Sequence, residues 1–184
     1  MEAEDRKYCL RTGELKLSFS EKFTHYSIVG FLLLIPSLII IFYLIFCLEE
    51  KPISNISGGI LLGAISGLLG LLFYFIQKRK LKFTIIETRL ERKQIQKIFK
   101  EVAKKLNWRI SDLHEEEMIA ITSPSFMSGS WGERITILLD DGKILVNSIC
   151  DPSKQSSAVS MGRNKKNADT LILAIRQAEP QKEF

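Results

Sequence analysis

Two uncharged apolar stretches decide how this chain is organised: SIVGFLLLIPSLIIIFYLIFCL from Ser27 to Leu48, and ISGGILLGAISGLLGLLFYFI from Ile56 to Ile76. They contain 22 and 21 residues without a charged side chain. At a rise of about 1.5 Å per residue, either helix can cross a hydrocarbon core roughly 30 Å thick. The first stretch follows 26 mostly polar residues and is too long for the apolar core of a cleaved signal peptide. We therefore predict two transmembrane helices, 27–48 and 56–76.

The connection between the two stretches predicts their topology. It consists of EEKPISN, residues 49–55, which is too short for a domain, so residues 27–76 are predicted to form an antiparallel hairpin. One basic residue, Lys51, lies in this connection. The basic residues outside the hairpin are Arg6, Lys7, Arg11, Lys16 and Lys22 before it and Lys78, Arg79, Lys80 and Lys82 after it. The positive-inside rule then predicts an integral, multi-pass membrane protein with both termini in the cytoplasm.

Small residues recur along one side of the second stretch. Gly59, Gly63 and Gly67 are spaced by four residues, and Gly70 extends the same side. This GxxxG spacing lets helix backbones approach closely in lipid, and so predicts helix packing. Two interpretations stay open: the stripe packs on the first helix of the same hairpin, or it binds a second copy or another membrane protein. Neither stretch contains a carboxylate, histidine or lysine, which argues against a self-sufficient transporter or channel.

The rest of the chain is predicted to be cytoplasmic. Residues 77–184 are enough for one small domain and carry 20 basic against 14 acidic side chains. Residues 1–26, with five basic and five acidic side chains, are predicted to form a separate N-terminal segment. The positive excess therefore follows the hairpin, which favours contact with the headgroups of an anionic leaflet.

Patterns within 77–184 predict an α+β domain. A capping box at Thr88 and Glu91 indicates a helix over 89–106, and Asp141-Gly142 indicates a tight turn between two alternating strands. Further strands are predicted at 107–113, 117–122 and, as a short edge piece, 157–161. A terminal helix is predicted over 165–178, before Pro180. The order helix, four to five antiparallel strands, helix predicts helices on one face of a sheet. GELKLSF, residues 13–19, also alternates and can add an edge strand.

Residues that carry chemistry are sparse. Two histidines, His25 and His114, and three cysteines, Cys9, Cys47 and Cys150, lack metal-ligand spacing. The chain contains no phosphate-binding loop, dinucleotide glycine pattern or nucleophile elbow. We therefore expect no enzymatic activity, no cofactor and no metal site. Nucleic-acid binding is not expected either.

The stretch GRNKKN, residues 162–167, is the first of two candidate sites. Its cations and amides lie at the predicted start of the terminal helix, where free backbone N–H groups favour an anion. Arg163, Asn164, Lys165 and Lys166 are thus predicted to bind a phosphate or an acidic headgroup. In the alternative, Asn164 caps the helix and the lysines are simply solvated.

The stretch SPSFMSGSWGE, residues 123–133, is the second candidate site. It places Phe126, Met127 and Trp131 among serines and glycines, where a loop is normally polar. These side chains are predicted to contact a partner or the membrane interface, where aromatic residues are favoured. The alternative is that they close the open end of the sheet.

These observations favour a non-enzymatic, membrane-anchored adaptor or accessory subunit whose cytoplasmic domain binds a protein partner or the membrane surface. The expected partners are membrane lipid and either a protein or a second copy bound through the second transmembrane helix. The alternative function is a sensor module that binds an anionic lipid or a phosphorylated ligand.

Overall fold

The computed structural model describes residues 1–49, 56–124, 129–155 and 160–179. Within these ranges the helices are α1 Ala3–Thr12, α2 Phe19–Leu48, α3 Ile56–Lys80, α4 Arg92–Lys105 and α5 Arg163–Ala178. The strands are β1 Thr84–Glu87, β2 Arg109–Leu113, β3 Glu117–Ile121, β4 Glu133–Asp140 and β5 Lys143–Cys150. The chain divides into two compact units, His25–Arg79 and a second unit that joins Met1–Thr24 to Lys80–Phe184. We call them the helical unit and the α/β unit.

The helical unit is built on α2 and α3, which confirms the prediction of two long apolar helices. α2 begins eight residues before the predicted span, and α3 ends four residues after it. By length and composition both helices can cross a membrane. None of the most apolar 18-residue stretch of α2 is buried, and Phe31, Leu44 and Leu68 each expose more than half of their surface. The apolar side chains of this unit therefore point outward.

The α/β unit contains a five-stranded antiparallel sheet in the order β1-β5-β4-β3-β2. Asp140 pairs with Lys143, so Asp141 and Gly142 form the predicted tight turn, and Gly142 has φ 70°. This positive φ favours glycine over residues with a Cβ. The central hairpin predicted from the alternating pattern is confirmed. β1 was not predicted, because its four residues are too few to show a period.

One face of the sheet packs against α4 and α5. Side chains alternate between the two faces of a strand, so alternate residues of β3, β4 and β5 form this core. The buried residues of the sheet are Ile86, Met118, Ala120, Ile135, Ile137, Leu139, Ile144 and Val146. Those of the two helices are Ile95, Phe99, Val102, Ala103, Leu171, Ile172 and Ile175. This part of the fold agrees with the predicted packing of helices on a sheet.

The opposite face of the sheet is covered by the N-terminal segment. Leu138, Leu145 and Ile149 form a second core with Phe83 and with residues of α1 and the segment after it, namely Cys9, Leu15 and Leu17. The two predicted helices lie on one face, as expected, but the sequence did not predict α1, which covers the other face. The alternation in β4 concealed this arrangement, because Thr136 is buried on this face and reads as a solvent-facing residue in the sequence.

Backbone hydrogen bonds join the N-terminal segment to the chain that enters β1. Leu15 N donates to Leu81 O at 2.8 Å, and Phe83 N donates to Gly13 O at 2.8 Å. The contact is a single antiparallel bridge between Glu14 and Lys82 and not the edge strand considered for residues 13–19. Residues 1–24 consequently fold with the α/β unit.

Three local predictions need correction or lie outside the described residues. α4 begins at Arg92, and its capping box is formed by Glu91 and Gln94 instead of Thr88 and Glu91. α5 begins at Arg163, two residues earlier than predicted, after Gly162. Of the predicted edge piece 157–161, residues 157–159 lie outside the described ranges, and Ser160 and Met161 are not in a strand.

The two ends of the sheet have different connections. One edge of the sheet contains the last residues of β3 and β5 and the first residues of β4. The segments that lead into the long helices leave from this edge, which we call the proximal end. The Glu21 carboxylate pairs with Arg134 near the start of β4. Asn147 Nδ2 donates to the carbonyl oxygens of Lys80 and Lys82 at 2.8 and 3.0 Å. The opposite end, with the turns at 114–116 and 141–142, is the distal end.

Candidate functional site at the proximal end

The residue just before β4 is held close to its neighbours at the proximal end. Gly132, just before β4, has φ 117°, and a Cβ at this position would lie 2.5 Å from the Thr122 carbonyl oxygen. Its own carbonyl accepts a hydrogen bond from Asp151 N at 2.9 Å. Only a glycine satisfies both the backbone conformation and this close approach. The segment around Trp131 is therefore fixed at its end nearest to β4.

Glu133 is the centre of a buried polar cluster. It begins β4, its side chain is fully buried, and the hydroxyls of Thr122 and Ser130 donate to its two carboxylate oxygens. Arg163 Nε lies 3.2 Å from Oε2. A buried carboxylate is tolerated when it has a cationic partner and further hydrogen-bond donors, and Glu133 has both. The cluster thus connects the ends of β3 and β4 to the first residue of α5.

The four residues of the predicted anion site are divided between two environments. Arg163 pairs with Glu133 and also donates to Ser123 O at 3.4 Å. Asn164 accepts from Ser148 Oγ at 3.3 Å and does not cap α5, whose N-cap is Gly162. Lys165 and Lys166 are exposed. Arg163 and Asn164 therefore act within the fold, and the two lysines are the members presented to solvent. Anion binding stays a prediction.

Asp151 is the second buried carboxylate at this end. It is 2% exposed and accepts hydrogen bonds from Ser153 N and Ser153 Oγ at 3.1 and 2.8 Å. Lys154 Nζ lies 3.9 Å from its other oxygen and donates to Trp131 O at 3.1 Å. Both acids that border the proximal loops are thus directed inward, so the charge that reaches the surface here is positive.

Large apolar side chains are exposed at the same end. Trp131 is 50% exposed and Met161, in the turn before α5, is 71% exposed. The structure therefore does not bury Trp131 as the closure of the sheet. Phe126 and Met127, predicted with it to contact a partner or the membrane, lie outside the described residues. The predicted contact is not tested by this placement.

Cys150 lies at the end of β5 beside this cluster. Burial raises the pKa of its thiol, and the charge of Lys80 opposes the rise. The Asn164 amide lies 3.9 Å from the sulfur. A thiol with a raised pKa is a poor nucleophile near neutral pH. In the ranges that the structure describes, no group of three histidine, cysteine or acidic side chains is placed to hold a metal ion.

The distal end has a more acidic surface. Glu115, Glu116, Asp140 and Asp141 are all exposed in or beside its two turns. Arg92 lies between two of them, 3.7 Å from Glu116 and 3.6 Å from Asp141. A cavity of about 470 Å³ opens beside the Asp141 turn, and its lining mixes acidic and basic side chains. Acidic side chains outnumber basic ones in the two turns of this end, so the distal end is more acidic than the proximal end.

The predicted glycine stripe faces α2 within the helical unit. A Cβ added to Gly63 would contact Pro36 and Ile39 at 3.6 to 3.8 Å. Added at Gly59 it would overlap the Tyr43 hydroxyl, and at Gly70 it would lie 2.9 Å from Leu33. Gly67 lies on the same side, with Pro36 at 4.0 Å. In the single chain this side of α3 is thus occupied by α2, so a contact with another protein needs a different side of the helix.

Sequence reasoning missed the internal partners of the proximal cluster. Glu133 reads as the exposed first residue of a strand, and 30 positions separate it from Arg163. One signal was present: residues 122–132 and 152–168 contain four cations and no acid, so their cations need partners from elsewhere.

Comparisons with protein-family models, with curated proteins and with solved structures gave no match.

Proposed function

We propose that the chain is a non-enzymatic, two-pass membrane-anchored adaptor or accessory subunit with both termini in the cytoplasm. One observation carries this proposal. Residues before α2 and residues after α3 fold together as one α/β unit, and the chain between them consists mainly of two long helices with exposed apolar side chains.

Co-folding of the two flanking regions supports a hairpin anchor. Cys9, Leu15 and Leu17 bury their side chains against a sheet formed entirely after α3. The two regions must therefore lie on the same side of any membrane that the helices cross. Two crossings return the chain to its starting side, whereas one crossing would separate the regions. The excess of basic residues flanking the helices favours the cytoplasmic side.

The exposed surface of α2 and α3 supports lipid as their environment. Large apolar patches are rare on free soluble surfaces, and here they extend along both helices. Ser66, near the middle of α3, is satisfied locally, because its Oγ donates to Leu62 O and Gly63 O at 2.9 and 3.1 Å. Such a hairpin suits an anchor better than an ion path, which needs ionisable or hydrated groups between helices.

Partner binding is then assigned to the α/β unit. The glycine side of α3 faces α2, and the rest of the exposed helix surface is mostly apolar. The α/β unit, by contrast, presents distinct charged surfaces at its two ends. A charged surface can bind a partner whose surface has the complementary charge, and such complementarity gives specificity between proteins. An adaptor anchored by its hairpin and recognised through its α/β unit is the function that these features support best.

Co-purification from the native membrane tests the adaptor role. The tagged full chain, at native level, is extracted in mild detergent, and its companions and native mass are measured. The control is the hairpin alone, residues 19–80, with the same tag. We expect a stoichiometric protein that accompanies the full chain and is absent from the hairpin. A lone monomer of the full chain, with no companion above the control, would contradict the adaptor role.

A further inference from the structure

We infer that the proximal end of the α/β unit docks on an anionic bilayer surface, an inference that rests on the membrane anchor proposed above. The partner is defined by its chemistry: a sheet of negatively charged headgroups above an apolar core. Three independent features of the proximal end match that surface.

The first feature is exposed positive charge. The described residues of the connections at this end, 122–124, 129–132, 152–155 and 160–162, and the first turn of α5 contain no acid. Their cations are Lys154, Arg163, Lys165 and Lys166. The acids at their borders, Glu133 and Asp151, are 0% and 2% exposed and have internal hydrogen-bond donors. Lys154 and Arg163 pair with these two acids, so Lys165 and Lys166 carry the exposed charge that attracts anionic lipid. Asp169, one turn further along α5, is exposed and offsets part of it.

The second feature is the pair of exposed apolar side chains beside these cations. Trp131 and Met161 are half or more exposed at the same end of the sheet. Tryptophan is favoured at the level of the headgroups, where its ring is partly apolar and its N–H can donate. Methionine adapts its shape to irregular apolar surroundings. Cations beside such side chains are the combination that binds a bilayer interface.

The third feature is the position of the chain connections. Residues 81–83 alone separate α3 from β1, and the Lys80 carbonyl accepts a hydrogen bond from Asn147 in β5. The Glu21 carboxylate, near the start of α2, pairs with Arg134 in β4. The membrane-entering segments thus leave from the end that carries the cations. A tether this short gives a high effective concentration, so a weak surface contact is sufficient.

The distal end supplies the contrast that orients the unit. It exposes Glu115, Glu116, Asp140 and Asp141, which an anionic leaflet repels. Attraction at one end and repulsion at the other favour a single orientation of the unit. The adaptor would then present its acidic distal end to the cytoplasm.

Fluorescence of Trp131 in nanodiscs tests the docking. The full chain carries Trp108→Phe, so that all tryptophan emission comes from Trp131, and the discs contain a lipid with a nitroxide quencher at its headgroup. Discs with about 30% anionic lipid are compared with zwitterionic discs. We expect quenching about twofold or more stronger in the anionic discs, and a loss of the difference at high salt. If Trp108→Phe impairs folding, the fluorescence of Trp131 is obtained by subtracting the emission of the Trp131→Phe variant from that of the wild type.

Charge reversal on α5 isolates the surface. Lys165→Glu with Lys166→Glu is expected to lower quenching in anionic discs to the zwitterionic level. Acidic residues in the first turn of a helix are favourable, so this variant keeps the fold. The matched control is Lys93→Glu with Lys97→Glu, the same charge change on the exposed side of α4, which begins at the distal end. This control is expected to leave quenching unchanged.

The outcomes separate this inference from the anchor. A chain that does not enter discs overturns both. A chain that enters discs but shows the same Trp131 quenching with and without anionic lipid overturns the docking alone. If the α5 reversal leaves lipid quenching intact and removes a co-purified protein, the proximal end binds an acidic protein surface and the bilayer inference is overturned.

Discussion

Ile135, Ile137 and Met118 in the α/β unit are fully buried, whereas Phe31 and Leu68 in the helical unit expose about two thirds of their surface. Both units are built from similar apolar residues, but one directs them inward and the other outward. The difference indicates that the two units are adapted to different surroundings. Burial of apolar residues suits the α/β unit to water, and their exposure suits the helical unit to lipid. Substitutions at matched positions can break or sharpen this comparison.

The largest effect is expected at the buried carboxylate of Glu133 in the α/β unit. Glu133→Ala leaves the buried hydroxyls of Thr122 and Ser130 without an acceptor and the partly exposed Arg163 without its carboxylate. At about 1–3 kcal/mol for each unsatisfied group, the cost in the free energy of unfolding is expected to be about 3–5 kcal/mol. Asp141→Ala, at a fully exposed turn position, is the control and is expected to change stability by less than about 0.5 kcal/mol. Denaturation followed by the fluorescence of buried Trp108 measures both. Equal stabilities would show that the cluster does not hold the proximal loops.

The next effect distinguishes the solvents directly. Leu68→Arg places a charge on the exposed side of α3, and if that side faces lipid, insertion is expected to weaken by about 2.5–3.5 kcal/mol. Leu173→Arg makes the same change at a 56% exposed position of α5, where water is expected, and should be nearly neutral. The membrane-integrated fraction after expression is the readout. A Leu68→Arg chain that folds normally in water would break the comparison.

The N-terminal segment gives a smaller effect within the α/β unit. Leu17 is 3% exposed in the second core, so Leu17→Ala is expected to destabilise the unit by about 2–3 kcal/mol, because it removes buried methyl groups. Lys7→Ala, on the exposed side of α1, is the control. Unfolding of the full chain in detergent, followed at Trp108, measures the change. An unchanged free energy of unfolding for Leu17→Ala would mean that the N-terminal segment does not co-fold with the sheet.

The smallest effect is expected where α2 and α3 pack. Gly63→Ile forces a branched side chain against Pro36 and Ile39, at a cost of about 1–3 kcal/mol in helix packing. Ala64→Ile, one position along on the exposed side of α3, is the control. Spin labels at Leu44 and Leu61 report the distance distribution between the helices in nanodiscs. We expect a broader distribution for Gly63→Ile alone, and two identical distributions would refute packing through the glycines.

Sequence periodicity predicted the elements whose pattern is long or whose turn is distinctive. The two apolar helices, the β4–β5 hairpin at Asp141-Gly142 and the helix α4 were all apparent from the printed residues. Their existence follows from local physics: charge-free length, alternation and helical spacing. Helix ends were less well predicted, because Thr88 and Glu91 offered competing caps.

Features that depend on distant residues were not predictable from one sequence. The second core requires Leu15 and Leu17 to meet Leu138 and Leu145, more than 100 positions away. Since the hairpin separates them along the chain, no local pattern indicates that they meet. The pair Glu133 and Arg163 is hidden for the same reason. Its members read as surface charges until the fold brings them together.

Membrane topology of the full chain is the most direct test of the account. Single cysteines are introduced at Ser54, in the connection between the helices, and at Lys182, near the C-terminus, in a background in which Cys9, Cys47 and Cys150 are replaced by alanine. Intact cells are treated with a membrane-impermeant maleimide before and after permeabilisation. We predict that the cysteine at 54 is labelled in intact cells and that the cysteine at 182 is labelled only after permeabilisation. Equal labelling of the two positions, or recovery of the chain in the soluble fraction, would contradict a two-pass anchor with the α/β unit in the cytoplasm.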